Sequence, residues 1–236
     1  MPLFELNKQF IFPSPNLATK SGLLAIGGGL EPERILKAYQ MGIFPWFNPG
    51  EVPQWWSPDP RFVLFPTSLK ISKSMKQVLR KKQFKVTFDQ DFLGVIKGCQ
   101  KIFRPGQFGT WISNEIVGAY NILHQMGFVH SVEVWENEKL VGGLYGGVLG
   151  KCFFGESMFS KVSNASKVGF ITLVKNLMAQ QFELIDCQIH SAHLESLGAE
   201  MLDRKYFLTY VENNQNQPIK KENWNQIFKS DSSFLS

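Results

Sequence analysis

Apolar and polar positions along this chain change their rhythm near residue 66. Before that point the hydrophobic residues are irregularly spaced among most of the chain's prolines. One helix stands out there, Pro32 to Met41, opened by proline in its first turn and stopped by Gly42. The rest of the front reads as loops fixed by packing, because Phe44, Trp46, Phe47, Trp55, Trp56, Phe62 and Phe65 are too dense a set of aromatics for a flexible linker. Beyond Pro66 regular periods begin. They predict a helix over 72–82, a strand over 84–88, a helix over 91–99, and a helix over 114–126 with Ser113 as N-cap and Gly127 as stop. Strands over 129–135, 140–148 and 151–156 follow as an antiparallel meander, joined by the polar turn 136–139 and by Gly150. A helix over 165–181, a strand over 183–187 and a helix near 205–213 complete the pattern, and the Asn/Gln/Lys-rich end after Asn213 is expected to be weakly ordered. The expectation is an α+β protein, with a small irregular N-terminal domain (1–62) and a larger regular one (63–236).

Composition adds limits. With 236 residues, 44% of them hydrophobic, the chain can bury a core and is neither disordered nor a disulfide-stapled miniprotein. No apolar run approaches the roughly 18–20 residues of a membrane span. The first residues, MPLFELNKQFIFP, place Glu5, Asn7 and Lys8 where a signal peptide needs an apolar stretch. Cys99, Cys152 and Cys187 are an odd number without framework spacing, so free thiols in a soluble cytoplasmic protein are expected.

Charge changes the picture more. The net +5 is unevenly spread: residues 70–104 hold ten basic and two acidic side chains, whereas 105–236 hold ten basic and thirteen acidic. On the helix beginning near Ser72, Lys73, Lys76 and Arg80 share one stripe, with Lys81 and Lys82 at its end and Lys85 just beyond. Such a stripe suits phosphates. Basic residues at a helix C-terminus also complement its dipole and can be merely solvated, but seven cations without an acidic residue between Lys70 and Lys85 exceed that need, which favours contact with a nucleic-acid backbone. Tryptophans in polar, Gly/Pro-rich surroundings complement it: Trp46, Trp55, Trp56 and Trp111. Exposed indoles stack on bases, each worth about 1–3 kcal/mol, whereas at least one of Trp55 and Trp56 reads as core. Platforms plus a basic helix, with no module that reads duplex sequence, point to a single-stranded end.

Other motifs carry less. Gly27, Gly28 and Gly29 lack the Lys-Ser/Thr of a phosphate loop, have no convincing strand before them, and read as a tight turn before the helix at Pro32. Cys187, His190 and His193 recur every three residues. They form neither a standard zinc spacing nor a compelling nucleophile–base pair, and packing is the simpler reading of Cys187. No metal is expected.

The runs FPSP (12–15), GLLAIGG (22–28), AYQMGIFPWF (38–47), WWSPDPR (55–61), GTWI (109–112), HSVEVW (130–135), FFGESMFS (153–160), NASK (164–167), DCQ (186–188) and HLESLGA (193–199) together resemble the leucyl/phenylalanyl-tRNA–protein transferase family, in order and to about residue 210. The resemblance implies a bacterial cytoplasmic enzyme that moves Leu or Phe from Leu-tRNA or Phe-tRNA onto proteins with N-terminal Arg or Lys, marking them for degradation. It also implies a GNAT-like fold, that of the acetyltransferase superfamily, in the larger domain. The Q/R-x-x-G-x-G/A loop that holds coenzyme A in that superfamily does not occur in this chain. No coenzyme A, and no other cofactor, is expected.

By resemblance, Asp186 and Gln188 are the catalytic pair and Glu156 faces the same cleft. Strand alternation would put Asp186 and Gln188 on one side, where a carboxylate could attract the cationic acceptor and accept or relay its proton. The demand on a base is small, because an α-amine has a pKa of about 7.7–8.0 and is partly neutral already. Leu144, Phe153, Met158, Phe170, Leu173, Leu177 and Ile185 are candidates for an apolar slot taking the donor side chain. Phe170, Leu173 and Leu177 form an i, i+3, i+7 stripe, and the methionine gives a deformable wall. Trp46 and Trp111 are assigned to the 3′-adenosine, and Lys73, Lys76, Arg80, Lys81, Lys82 and Lys85 to the tRNA backbone. The chain departs from the family pattern at Leu144, where members carry methionine, and at Ser191, where they carry asparagine.

Overall fold

The computed structural model describes residues 3–102, 110–218 and 223–229. Arg104 of the basic segment and Gly109 of the GTWI run lie outside them. In chain order the elements are β1 (Phe4–Leu6), β2 (Leu23–Gly27), α1 (Pro32–Tyr39), β3 (Phe44–Pro45), β4 (Gln54–Trp56), β5 (Arg61–Leu64), α2 (Lys73–Arg80), β6 (Lys85–Phe88), α3 (Phe92–Lys101) and α4 (Asn114–Gln125). There follow β7 (Val129–Glu136), β8 (Lys139–Leu149), β9 (Cys152–Ser160), α5 (Ala165–Ala179), β10 (Leu184–Gln188), α6 (Ala192–Glu195), β11 (Glu200–Leu202), α7 (Arg204–Asn214) and α8 (Trp224–Ile227).

The regular part forms as its periods dictate. Ser72, Asp91 and Ser113 each cap a helix through the side chain, accepting from the backbone N–H of Met75, Gly94 and Ile116. Asn137 and Glu138, both left-handed, make the two-residue turn that joins β7 to β8. The meander runs antiparallel through β6, β7, β8 and β9, and α5 then crosses over so that β10 lies parallel to β9. The sheet has seven strands in the order β11-β5-β10-β9-β8-β7-β6.

Both faces of this sheet are covered, so its inner strands are apolar on consecutive positions rather than alternate ones. Phe154 points into a core shared with α1, α3, α4 and α7, and its neighbour Phe153 into one shared with α2, α5 and the segment around α8. Residues from the front, among them Phe12, Leu24, Ile35 and Trp55, belong to the first of these cores.

Two expectations are corrected. The front is not all loop, since β1, β2, β4 and β3 form a four-stranded sheet. Its strands are two to five residues long, too short to show a period. One of them, β2, is the strand that leads into the glycine turn at Gly27 and Gly28, both with positive φ. Second, the C-terminal segment is packed over 223–229. Trp224 is 3% exposed and stacks on His130 with ring centroids 3.9 Å apart. The Asn176 side chain clasps the backbone of Lys229 through bonds of 2.8 and 3.1 Å. No helix among the described residues is long and apolar enough to cross a membrane.

Candidate active site

A cleft of about 330 Å³ opens where β9 and β10 part company. Their parallel pairing runs from Leu184 opposite Cys152 to Asp186 opposite Phe154 and then stops, while β9 continues to Ser160. Gly155, Glu156, Ser157 and Met158 line one wall and Cys187 to Ser191 the other.

The apolar end of the cleft is lined by Leu144, Phe153, Met158, Phe170 and Ile185. Leu173 and Leu177 are not there. They lie further along α5, fully buried in the core shared with α2. Nearly every residue of α5 between Val168 and Leu177 is buried, so a stripe on this helix marks core, and Phe170 alone of the three candidates borders the cleft. At the rim stand Trp46, 37% exposed, and the half-buried Trp111. Trp46 is held edge-on against Trp56, whose indole N–H donates to the Trp46 carbonyl at 2.6 Å. Trp55 is fully buried and bonds the Gly27 carbonyl, so it is the core member of that pair.

The polar floor holds two carboxylates. Glu156 accepts hydrogen bonds from Tyr39 of α1 and from Tyr120 of α4, the latter at 2.9 Å, and the Gln188 side-chain amide approaches it at 3.4 Å. Burial pushes its pKa up to about 7, against the opposing pull of the two phenols; the charge of Asp186 adds to the rise and Arg61 opposes it. Both phenols are themselves held well above their ordinary value, first by burial and then by the carboxylate, so they stay protonated donors.

Asp186 is fully buried and closed on all sides. The Arg61 guanidinium grips it in two-pronged fashion, Nε to Oδ1 at 2.8 Å and the terminal nitrogen to Oδ2 at 2.7 Å, and the Gln188 backbone N–H donates to Oδ1 at 2.8 Å. Strand alternation does not place Asp186 and Gln188 side by side. Register with β5 shifts between them and Gln188 takes a left-handed φ of 64°. Of the residues expected here, Glu156, Gln188, Trp46 and Trp111 therefore converge on open space, and Asp186 sits beneath them. Sequence reasoning missed Tyr39, Tyr120 and Arg61. Tyr39 and Arg61 do lie inside the AYQMGIFPWF and WWSPDPR runs, but as parts of aromatic and turn-like strings they give no sign of pairing with residues more than a hundred positions away.

Cys187 and His190 border the cleft with His193, yet among the described residues no group of three or more His, Cys, Asp and Glu side chains is placed to hold a metal ion. The Cys187 thiol is pushed far above its ordinary value by burial and by Asp186, which makes it a poor nucleophile. Lys73, Lys76, Arg80, Lys81, Lys82 and Lys85 are all exposed, and among the described residues none makes an ion pair. Met75 and Leu79 bury the opposite side of α2, which turns the basic stripe outward. No described residue of this segment lines the cleft.

The family model "Leucyl/phenylalanyl-tRNA protein transferase" matches residues 63–212, and the model of its N-terminal domain matches 28–59. Curated proteins named leucyl/phenylalanyl-tRNA–protein transferase are similar over most of the chain. That of Syntrophus aciditrophicus is 52% identical over 95% of this chain and 94% of its own. That of Flavobacterium johnsoniae is 55% identical over 89% and 99%. Among solved structures, L-PGS from Bacillus licheniformis aligns with a TM-score of 0.39 and 11% identity over 72% of this chain and 54% of that one.

Proposed function

Since this chain belongs to the leucyl/phenylalanyl-tRNA–protein transferase family, we propose that it carries Leu or Phe, and with them Met, from the 3′ ester of an aminoacyl-tRNA to the α-amine of a protein whose N-terminus is Arg or Lys. The larger sheet is read with it as GNAT-like. Support comes from the order β6-α3-α4-β7-β8-β9-α5-β10 and from a parallel pair at β9 and β10 that splays open at the site.

In this reading the donor side chain enters the apolar end between Leu144, Phe153, Met158, Phe170 and Ile185, and Trp46 and Trp111 take the terminal adenosine by stacking. The acceptor amine meets Glu156. Its nitrogen attacks the ester carbonyl, the C–O bond to the ribose breaks, and an amide forms; the amine gives up protons and the departing ribose oxygen takes one. An ester becoming an amide runs downhill, so no nucleotide hydrolysis is required. A carboxylate with a pKa of about 7 is matched to an amine of about 7.7–8.0, and can hold the incoming ammonium as a counter-ion and then accept its proton. Asp186, whose oxygens already accept from Arg61 and from the Gln188 backbone, is given in this reading the part of holding the floor in shape.

The observation that carries the reading is Glu156, set between two phenols at the point where the strands part, directly below an apolar slot. Labelled Leu-tRNA or Phe-tRNA incubated with the protein and a peptide beginning with Arg or Lys, without ATP, is expected to give labelled peptide. No transfer to either acceptor from either donor would overturn it.

A further inference from the structure

Arg61 is sealed from solvent on β5, yet two of its neighbours, Asp186 and Phe44, belong to the cleft wall. Its guanidinium lies between the rings of Phe44 and Phe207, 4.6 and 4.5 Å from their centroids, and also donates to the Gly42 carbonyl at 3.3 Å. A buried ion pair is a poor source of net stability, since apolar residues of similar volume often serve as well or better. Stability alone therefore does not account for a paired guanidinium and carboxylate at this depth.

The bonds around the pair lead to the cleft. Gln188 holds a left-handed backbone that side chains other than glycine rarely adopt, at the point where the register with β5 slips. What holds it there is Asp186 Oδ1, the same oxygen that Arg61 Nε grips. From that turn the Gln188 amide reaches toward Glu156. We propose that Arg61 is a positioning residue for the transfer reaction: its two-pronged pair with Asp186 fixes the turn at Gln188 and so aims the Gln188 amide at the space where amine and ester meet. The role rests on the transfer reading above.

The test compares kcat, donor KM and thermal melting in the wild-type protein, in Arg61→Met/Asp186→Leu and in Arg61→Lys, using labelled Leu-tRNA and an Arg-initiated peptide. The double variant removes both charges while keeping apolar bulk. It is expected to melt cooperatively near the wild-type temperature, with kcat lowered at least 100-fold and donor KM within threefold. A folded double variant with kcat within twofold of wild type would overturn the proposal. Arg61→Lys keeps the charge but replaces the planar fork by a point donor, and is expected to lose at least tenfold in kcat, again without a matching change in KM. Wild-type turnover in Arg61→Lys would likewise overturn it, so an ill-folded double variant does not end the test. A wild-type protein that forms no labelled product refutes the transfer reading itself, an outcome distinct from active variants beside an active wild type.

Discussion

Two carboxylates stand on neighbouring strands of one cleft floor, and their surroundings differ in kind. Asp186 has a full cation in contact and a backbone N–H besides, so in the proposed reaction it serves structure. Among the described residues Glu156 has only neutral donors in contact, two phenols and one amide, and burial leaves it balanced between its two protonation states near neutral pH. In the proposed reaction the partner and not the residue type sets the role, and the carboxylate cradled by hydroxyls is the one that takes and returns a proton.

The contrast is broken most severely at Asp186. Asp186→Ala leaves the Arg61 guanidinium buried without its counter-ion, between two rings and beside one carbonyl, which is expected to cost about 3–5 kcal/mol of stability. Thermal or urea melts measure it, and a loss under about 1 kcal/mol would mean that Asp186 is not the structural member of the two. Glu156→Gln is expected to behave in the reverse way, with little loss of folding near pH 7 and a fall in turnover of about 100-fold or more.

The same variant checks the sign of the pH dependence. Because the folded-state pKa of Glu156 is raised from 4.5 to about 7, its protonated form is the one the fold favours. That contribution is whole below about pH 4.5 and is lost as pH rises through about 7, a difference of roughly 3 kcal/mol at most. Glu156→Gln removes this loss from the stability–pH curve. Turnover is expected to run the other way, rising with pH as the carboxylate ionises, so that in this pH range the wild-type protein should gain activity while Glu156 withdraws its part of the stability.

How much of this was legible in the sequence follows from how far each signal reaches. The helices from α2 to α5 and the meander could be read because cap, period and stop lie within one element. The front strands could not, being two to five residues long and stabilised by partners elsewhere in the chain. Trp46 and Trp111 stand out by their polar surroundings and Glu156 and Gln188 by family resemblance, and the four meet at one cleft. Strand alternation does not describe how Gln188 sits beside Asp186, because a left-handed Gln188 interrupts it. Tyr39 and Tyr120 left no local trace, since the bond that gives them meaning crosses 117 and 36 positions respectively.

A finer perturbation leaves Glu156 in place and removes one phenol. Tyr39→Phe and Tyr120→Phe each take away a hydrogen bond to the ionised carboxylate, worth about 1.5–3 kcal/mol for a bond to a charged group when nothing replaces it. The acid limb of turnover is expected to move to higher pH in both, by about one unit. Tyr39 should have the larger effect, because its bond opposes the rise of Glu156 more strongly than that of Tyr120. A limb that stays at the wild-type pH would remove the phenols from the control of Glu156.

The mildest test lies outside the cleft and asks whether the floor acts alone. Lys76, Arg80 and Lys81 are exposed, form no ion pair among the described residues, and line no part of the site, so their contribution to chemistry should be nil at saturating donor. Each cation that meets an RNA phosphate releases counter-ions, and contributes about 0.7–0.9 to the slope of log affinity against log salt. Replacing all three with glutamine is therefore expected to flatten the salt dependence of tRNA binding by about two units while leaving kcat and the acid limb unchanged. An unchanged slope would return α2 to a solvated face. A changed acid limb would mean instead that the charge outside reaches Glu156, and that its pKa is not set by burial and the phenols alone.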